Sequence, residues 1–370
     1  MSGTWGRSIR LTIFGESHGP AVGMVLDGLP PGFPVDWADV SREMARRAPG
    51  SGELSTRRAE TDSYEILSGM FEGKTTGAPL TALIRNEDAR SSDYSPHILR
   101  PGHADWTALV KYKGHADHRG GGRFSGRLTA PLVCAGAIAK QVLRRDGIDV
   151  GARIVRIYDA EDTSLDTCGA AIWHGEAAAR VIAASKKTFP AADDAAGERM
   201  KAAILRAKQE GDSVGGVIEC AATGLPAGWG EPFFGSVESS VASMMFSIPA
   251  VKGIEFGAGF GFARLRGSEA NDPLEYDEGG LRVRAATNRN GGVNGGISNG
   301  HAVIFRVAVK PTPTIGKEQR TVDIASGETV LAAFGGRHDP CIAPRAVPAI
   351  EAGLALCLLD LSASGNTASA

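Results

Sequence analysis

Gly120-Gly121-Gly122 removes three side chains in a row from a strongly basic part of the chain, so the fold must be built around a loop of bare backbone. Between Leu99 and Arg127 stand six cations, Arg100, Lys111, Lys113, Arg119, Arg123 and Arg127, against two acids, Asp105 and Asp117. His103, His115 and His118 share this stretch and His97 lies just before it, which gathers half of the chain's eight histidines. Fixed positive charge, titratable imidazoles and open N–H groups describe a site for a small polyanion. The bland alternative is a solvated basic loop, and the histidines and the glycine triplet argue against it.

The partners follow from charge. A formal net charge of −2 excludes a general nucleic-acid or membrane-surface binder, so local basic clusters point to small anionic ligands. Cys134, Cys168, Cys220, Cys341 and Cys357 are odd in number and widely spaced, with no C-x-x-C pair. That pattern fits a reduced, cytoplasmic protein without structural zinc. No apolar run approaches the roughly eighteen residues that span a bilayer, and Arg7 and Arg10 interrupt any signal-peptide pattern. The forty-nine glycines cluster around the charged motifs, as expected of backbone-lined binding loops.

Alternation marks a strand from Ser8 to Phe14 and a return strand from Val22 to Leu26, with His18 in the turn between them. Asp36 caps a helix ending in Arg46-Arg47, and Arg57 and Arg58 follow, four arginines around one bend in the manner of an anion clamp. Thr129 is expected to cap a helix that Gly147 ends, which puts Gly126 and Arg127 just before its N-terminus. Residues 160–212 read as Ala-rich surface helices, the second burying Met200, Ala203, Ile204 and Ala207. Further strands run over Val214–Ala222 and Ala302–Lys310, and helices over Ser236–Phe246 and from Pro344 to about Leu361. Gly28-Leu-Pro-Pro-Gly-Phe33 is echoed by Gly224-Leu-Pro-Ala-Gly-Trp229, and Ser68–Gly73 more weakly by Lys252–Gly257. The offsets, near half the chain, point to two halves on one strand–turn–helix–strand plan, unless the short matches are coincidental. The expected organisation is one catalytic domain over 1–361, with halves of about 1–185 and 186–361 and a frayed tail at 362–370.

The chemistry lies in the loops. Histidine exchanges protons near neutral pH; neighbouring arginines lower its pKa and a carboxylate raises it. Arginines dominate around His103, although Asp105 is two residues away, and His338-Asp339 beside Arg337 offers another titratable pair. His115 and His118 have no partners at metal-ligand spacing, so no metal site is expected. There is no Walker motif, no G-x-S-x-G and no strand–G-x-G-x-x-G–helix unit.

Eight motifs then resemble, in order and over nearly the whole chain, those of the chorismate synthase family. They are Gly15-Glu-Ser-His-Gly19, Asp27-Gly-Leu-Pro-Pro-Gly32, Arg100-Pro-Gly-His-Ala-Asp105, Arg119-Gly-Gly-Gly-Arg123, Gly211-Asp-Ser-Val-Gly215, Gly295-Gly-Ile-Ser298, Lys310-Pro-Thr312 and Gly336-Arg-His-Asp-Pro-Cys341. The resemblance implies an α+β fold, a layered β-α-β sandwich of two pseudo-symmetric halves with helices between antiparallel sheets, assembled as a homotetramer. It implies a carbon–oxygen lyase that converts 5-enolpyruvylshikimate 3-phosphate to chorismate, the last step of the shikimate pathway to aromatic amino acids. The reaction is a 1,4-elimination of phosphate that uses reduced FMN (FMNH2) without net redox change.

By matching motif, His103 protonates the reduced flavin, His18 acts on the phosphate as general acid, and Asp339 assists proton movement at the flavin. Arg47 and Arg127 match substrate-binding arginines. Arg123, Phe124, Ser125, Pro249, Ala250, Gly295, Lys310, Pro311, Thr312, Pro313, Thr314 and Arg337 match the FMN cradle. Arginine's forked, permanent charge suits ligands that bring two carboxylates and two phosphates. Several positions depart from the family's common residues: Phe124 and Gly126 in its Arg-Ser-Ser-Ala-Arg, Pro249 for Asn, Pro313 and Thr314 for Ser-Ser, and Glu53 for an arginine. Backbone contacts survive such changes, whereas contacts through a replaced hydroxyl or amide do not, and Glu53 weighs against a nicotinamide contact. Two competing readings are a non-catalytic phosphate-metabolite or nucleotide-binding protein and an NADPH-dependent flavin reductase. Three titratable groups on separate loops favour the lyase, and no separate dinucleotide unit favours the reductase.

Overall fold

Period-two burial builds the first sheet. Leu80, Ala82 and Ile84 are buried and alternate with more exposed neighbours, and Val22, Met24 and Leu26 do the same on the adjoining strand. In the computed structural model, which describes residues 3–49, 54, 61–87, 95–162, 175–276, 283–334 and 339–365, this sheet contains β1 (Thr4–Trp5), β2 (Arg10–Gly15), β3 (Ala21–Asp27), β4 (Tyr64–Ser68) and β7 (Leu80–Arg85). β5 (Met70–Phe71) and β6 (Lys74–Thr75) form a small hairpin between its last two strands. The spatial order is β1-β2-β3-β7-β4, antiparallel throughout.

A second antiparallel sheet has the order β11-β16-β10-β8-β9. It comprises β8 (Asp149–Ile157), β9 (Ala160–Glu161), β10 (Gly216–Thr223), β11 (Val251–Phe256) and β16 (Val303–Val309). Three short hairpins complete the strands: β12 (Leu274–Tyr276) with β13 (Val283–Ala285), β14 (Val293–Asn294) with β15 (Ile297–Ser298), and β17 (Gln319–Asp323) with β18 (Glu328–Ala332).

Both sheets thread alike. In chain order β2, β3, β4 and β7 lie in space as first, second, fourth, third, and β8, β10, β11 and β16 do the same. Gly28 and Gly224, the glycines of the Gly-Leu-Pro echo, close the corresponding turns after β3 and β10 at φ of +90° and +81°. The weaker echo is out of register: Gly69 follows β4 as Gly257 follows β11, four residues beyond the matched Gly253. The second sheet begins at Asp149, so a division at about 185/186 sets β8 and β9 apart from the other strands of that sheet. The cause is an insertion between β8 and β10 that holds α4 (Gly175–Ala184) and α5 (Asp194–Gln209) and has no equivalent between β2 and β3. Met200, Ala203, Ile204 and Ala207 of α5 are buried, as its spacing predicts.

Helices fill the space between the sheets. α1 (Trp37–Arg47) is capped by Asp36, whose carboxylate accepts from the N–H groups of Ala38 and Asp39, and it buries Val40, Met44 and Arg47. α3 (Thr129–Arg145) packs on the first sheet, α8 (Ala343–Gly365) on the second, and the two pack against each other. A Cβ on Gly136 would lie 2.2 Å from Ala352 Cβ, so this crossing admits no side chain at Gly136. α6 (Val237–Ser247), capped by Ser236, packs on α8. A short α2 (Asp105–Lys111) and a four-residue α7 (Gly267–Ala270) lie in the loops.

Charge is buried in this layer too. Glu351 of α8 is fully enclosed, accepting from Arg46 at 2.7 and 2.8 Å, Lys140 at 2.8 Å and the Ala152 N–H at 2.9 Å. One carboxylate thus ties α1, α3 and β8 to α8. Nearer its end, Asp360 accepts the N–H groups of Arg7, Ser8 and Ile9 at 2.7–3.1 Å and fixes the start of β2.

Three expectations are corrected. Thr129 does not cap α3: its hydroxyl donates to the Gly126 carbonyl at 2.6 Å, because a tight turn over Gly126–Leu128, opened by Ser125, leads into the helix. The last helix runs through residues 362–365 instead of fraying there. Within Ala343–Ser364 it is also long and apolar enough to cross a membrane, with a mean hydropathy of 1.6 over an 18-residue window. Its flanks of alanine and leucine are explained by its place as the core helix between two sheets.

Candidate active site

The glycine triplet holds the site together. Gly120, Gly121 and Gly122 adopt φ of 60°, 81° and 51°, a conformation that side-chain-bearing residues rarely take. A Cβ on Gly120 would lie 1.9 Å from His18 Nδ1, and one on Gly121 would lie 2.9 Å from His103 Cε1. The Gly122 carbonyl accepts the Ser17 N–H at 3.2 Å. Two histidines 85 positions apart in sequence therefore rest on consecutive glycines. The β2–β3 turn is also tied down by Asn86, whose side-chain amide donates to the carbonyls of Glu16 and Gly19. His18 is accordingly buried, although it sits at a hairpin tip.

His103 is oriented by its own motif. Its Nδ1 is 2.8 Å from Asp105 Oδ1, and Arg100 donates to the same carboxylate at 2.7 and 2.9 Å. Burial works against the charge on Asp105, but the hydrogen bonds from His103 and Arg100 outweigh it and hold the carboxyl well below the usual carboxylate range. An ionised Asp105 is placed to accept a proton from Nδ1, which leaves Nε2 outside that pairing. Cε1 and Nε2 are the His103 atoms on the Gly121 side.

Arg47 and Arg127, from α1 and from the turn before α3, converge on one carboxylate, that of Asp62. Asn86 and the Arg85 carbonyl accept from Arg127 at 2.9 and 3.0 Å. Arg47 is 1% exposed, and its Nε and Nη1 have no hydrogen-bond partner among the described residues. Burial first, then the neighbouring Arg345, lowers the Arg47 guanidinium to about 10, which leaves it charged at neutral pH.

These groups border a cleft of about 610 Å³ between the glycine triplet, the α6–β11 connection, the segment after β16 and the start of α8. Among the described residues seven cations line it, Arg47, Arg100, Arg123, Arg127, Lys252, Lys310 and Arg345, against one carboxylate, Asp339. Asp339 accepts from Arg345 at 2.7 Å, and its carbonyl accepts from the Thr312 hydroxyl at 2.9 Å. Burial, then Lys252, pushes the Lys310 ammonium below its ordinary value.

Most of the expected site residues meet here. His103, Arg123, Phe124, Ser125, Pro249, Ala250, Thr312, Pro313 and Thr314 line the same cleft as Arg47, Arg127, Lys310 and Asp339. His18 stands behind Gly120, which does line it. Gly295, at the tip of the β14–β15 hairpin, and Pro311, packed on Gly215, are not among the lining residues. Arg337, His338, Glu53, Arg57 and Arg58 lie outside the described residues. Ala250 carries a φ of +73° and its carbonyl accepts the Lys310 N–H at 2.9 Å, so the Pro249 position contributes by backbone shape. His97 and His118 line a second cavity of about 300 Å³, which shares Arg100, His103, Phe124 and Thr314 with the cleft. Asp62, Arg345 and Lys252 escaped the sequence reading. Among the described residues no group of three or more His, Cys, Asp or Glu is placed to hold a metal.

Comparisons with known proteins bear on what such a cleft does. The chorismate synthase family model matches residues 9–362. Korarchaeum cryptofilum chorismate synthase is 47% identical over 360 residues, covering 96% of each chain. The protein of the same name from Opitutus terrae is 48% identical over 364 residues, covering 97% of this chain and 96% of its own. Among solved structures, a crystal structure of chorismate synthase is similar at a TM-score of 0.76 and 30% identity, over 96% of this chain and 92% of that one.

Proposed function

The chain belongs to the chorismate synthase family, and from that premise we propose that its basic cleft binds reduced FMN beside 5-enolpyruvylshikimate 3-phosphate. The family's reaction is a lyase step of the shikimate pathway, in which the substrate loses phosphate and a ring proton to give chorismate. The observation that carries the proposal is the seven-to-one excess of cations, with buried and unpartnered N–H groups on Arg47, around one oriented histidine. The volume suits a cofactor with a substrate, since small-molecule sites occupy roughly 300–1,000 Å³. Buried donors without partners are costly unless a ligand accepts from them. The donor set therefore fits two phosphorylated ligands.

Arg47 and Arg127 hold the substrate's anionic groups by forked hydrogen bonds. Arg123, Lys310 and the backbone of Phe124–Ser125, Pro249–Ala250 and Thr312–Thr314 hold the flavin, to which we also assign Gly295, Pro311 and Arg337. Bound reduced flavin supplies an electron-rich ring that permits elimination without net oxidation or reduction. His103 moves a proton at Nε2 while Asp105 holds Nδ1. His18 delivers a proton to the departing phosphate. Asp339, oriented by Arg345, completes the proton path.

Anaerobic turnover with chemically reduced FMN, followed by phosphate release, tests this. Turnover is expected to require the reductant and to vanish in air. Undiminished aerobic turnover with no reducing agent would rule the reading out.

We further assign the active form as a cytoplasmic homotetramer. In support, Cys134, Cys220, Cys341 and Cys357 are buried and unbridged, and Phe233 and Phe234 are 86% and 92% exposed, an aromatic patch suited to a subunit contact. Light scattering at micromolar concentration is expected to give four times the chain mass. A stable, fully active monomer would refute the assignment.

A further inference from the structure

We propose that Asp62 is a positioning residue for the anion site: it holds Arg47 and Arg127 side by side so that both guanidiniums are set before a ligand arrives. The proposal rests on the reading that the cleft binds the phosphorylated substrate. Asp62 Oδ2 pairs with Arg47 Nη2, and Oδ1 pairs with Arg127 Nη1. Its carboxylate is fully enclosed, and the two arginine side chains are 1% and 2% exposed. Two guanidiniums buried this close repel each other, and one shared carboxylate turns that repulsion into a fixed spacing. Asp62 also has a φ of +51°, in the left-handed region that aspartate enters more readily than most residues. The sequence thus bends the chain just before β4 and turns the carboxylate inward between α1 and the turn before α3.

The charge balance shows why this is more than a structural ion pair. Arg345 is bound to Asp339 and donates through Nε to the Arg47 carbonyl at 3.3 Å, so among the described residues three guanidiniums face two carboxylates. One positive charge is left over, at Arg47, whose Nε and Nη1 have no partner among the described residues. A site with one carboxylate fewer would scatter its arginines, and one with a further carboxylate would have no charge to offer. Asp62 leaves the arginines oriented and incompletely neutralised, which is what a phosphate or carboxylate group requires.

The test compares Asp62→Asn with the wild type by anaerobic steady-state kinetics and by inhibition with inorganic phosphate. Losing a charge-assisted hydrogen bond at each arginine is expected to raise the substrate KM and the phosphate inhibition constant by roughly ten- to a hundredfold, with a smaller change in kcat. In an Arg127→Gln background the same substitution is expected to add much less, since its effect passes through that arginine. A lower Tm with unchanged KM and unchanged phosphate inhibition overturns the proposal, as does full additivity with Arg127→Gln. If Asp62→Asn does not fold, Asp62→Glu carries the test: a severalfold higher KM at near-native kcat supports positioning, and an unchanged KM refutes it. If Arg127→Gln itself leaves the substrate KM and phosphate inhibition untouched, the reading of the cleft has failed, not the role of Asp62 within it.

Discussion

Replacing His103 with alanine is expected to lower kcat by about a hundred- to ten-thousandfold, the range for a lost general acid or base. Substrate and flavin affinity change far less, because the seven cations of the cleft remain. The loss falls on kcat because Asp105 presents one imidazole nitrogen against the glycine triplet and no other described histidine lines the cleft. His118→Ala supplies the control, since that imidazole is closer in sequence to the triplet but lines only the other cavity and not the cleft. Phosphate release under anaerobic, flavin-saturated conditions measures both variants. Equal damage from His118→Ala, or a His103→Ala variant that raises KM alone, would move the proton chemistry elsewhere.

Glu351→Gln is expected to destabilise the fold by about 3–5 kcal/mol, the cost of breaking a buried ion pair from one side. The amide cannot accept from Arg46, Lys140 and the Ala152 N–H together, and the buried Lys140 and half-buried Arg46 are left with Glu43. Denaturant midpoints at neutral pH measure the loss. The pH dependence has a definite sign. Burial favours the neutral acid, but Lys140 and Arg46 win and hold the Glu351 carboxyl below its ordinary value. Its contribution is therefore complete above the unfolded glutamate value, about 4.3, and is lost as pH falls through the folded value. Acidification should narrow the gap between wild type and variant; a gap that widened would contradict the assignment.

Much of this site could be read along the chain. The glycine triplet, the Arg100–Asp105 motif and the His18 turn are local, and each has chemistry visible in consecutive residues. Asp36 and Ser236 cap their helices as expected because capping is decided within one turn. Asp62 was hidden for the opposite reason: an acid between Thr61 and Ser63 in a polar stretch carries no mark until α1 and the turn before α3 close on it. Glu351 did leave a trace, as a lone acid in the apolar run Ala349–Leu359, where an unpaired charge would be untenable. The offset between the echoes includes α4 and α5, which have no counterpart between β2 and β3, so it does not locate a boundary between halves. Gly295 resembles a cradle residue by motif, yet hairpin orientation is a property of packing that spacing does not encode.

The position of α8 bears on how the molecule is made. It follows every strand in chain order, yet it is the layer on which the second sheet and α3 both rest. While the chain is being synthesised, the first sheet can take α3 onto its inner face, but the inner face of the second sheet and the α8-facing side of α3 stay uncovered. Closure waits for the segment after Ala343, and until then Ile154 and Ile218 of the second sheet, both buried in the finished fold, face solvent or the wrong neighbour. Nascent chains halted before α8 would thus be prone to aggregate, which makes the last helix the step that commits the protein to its native core.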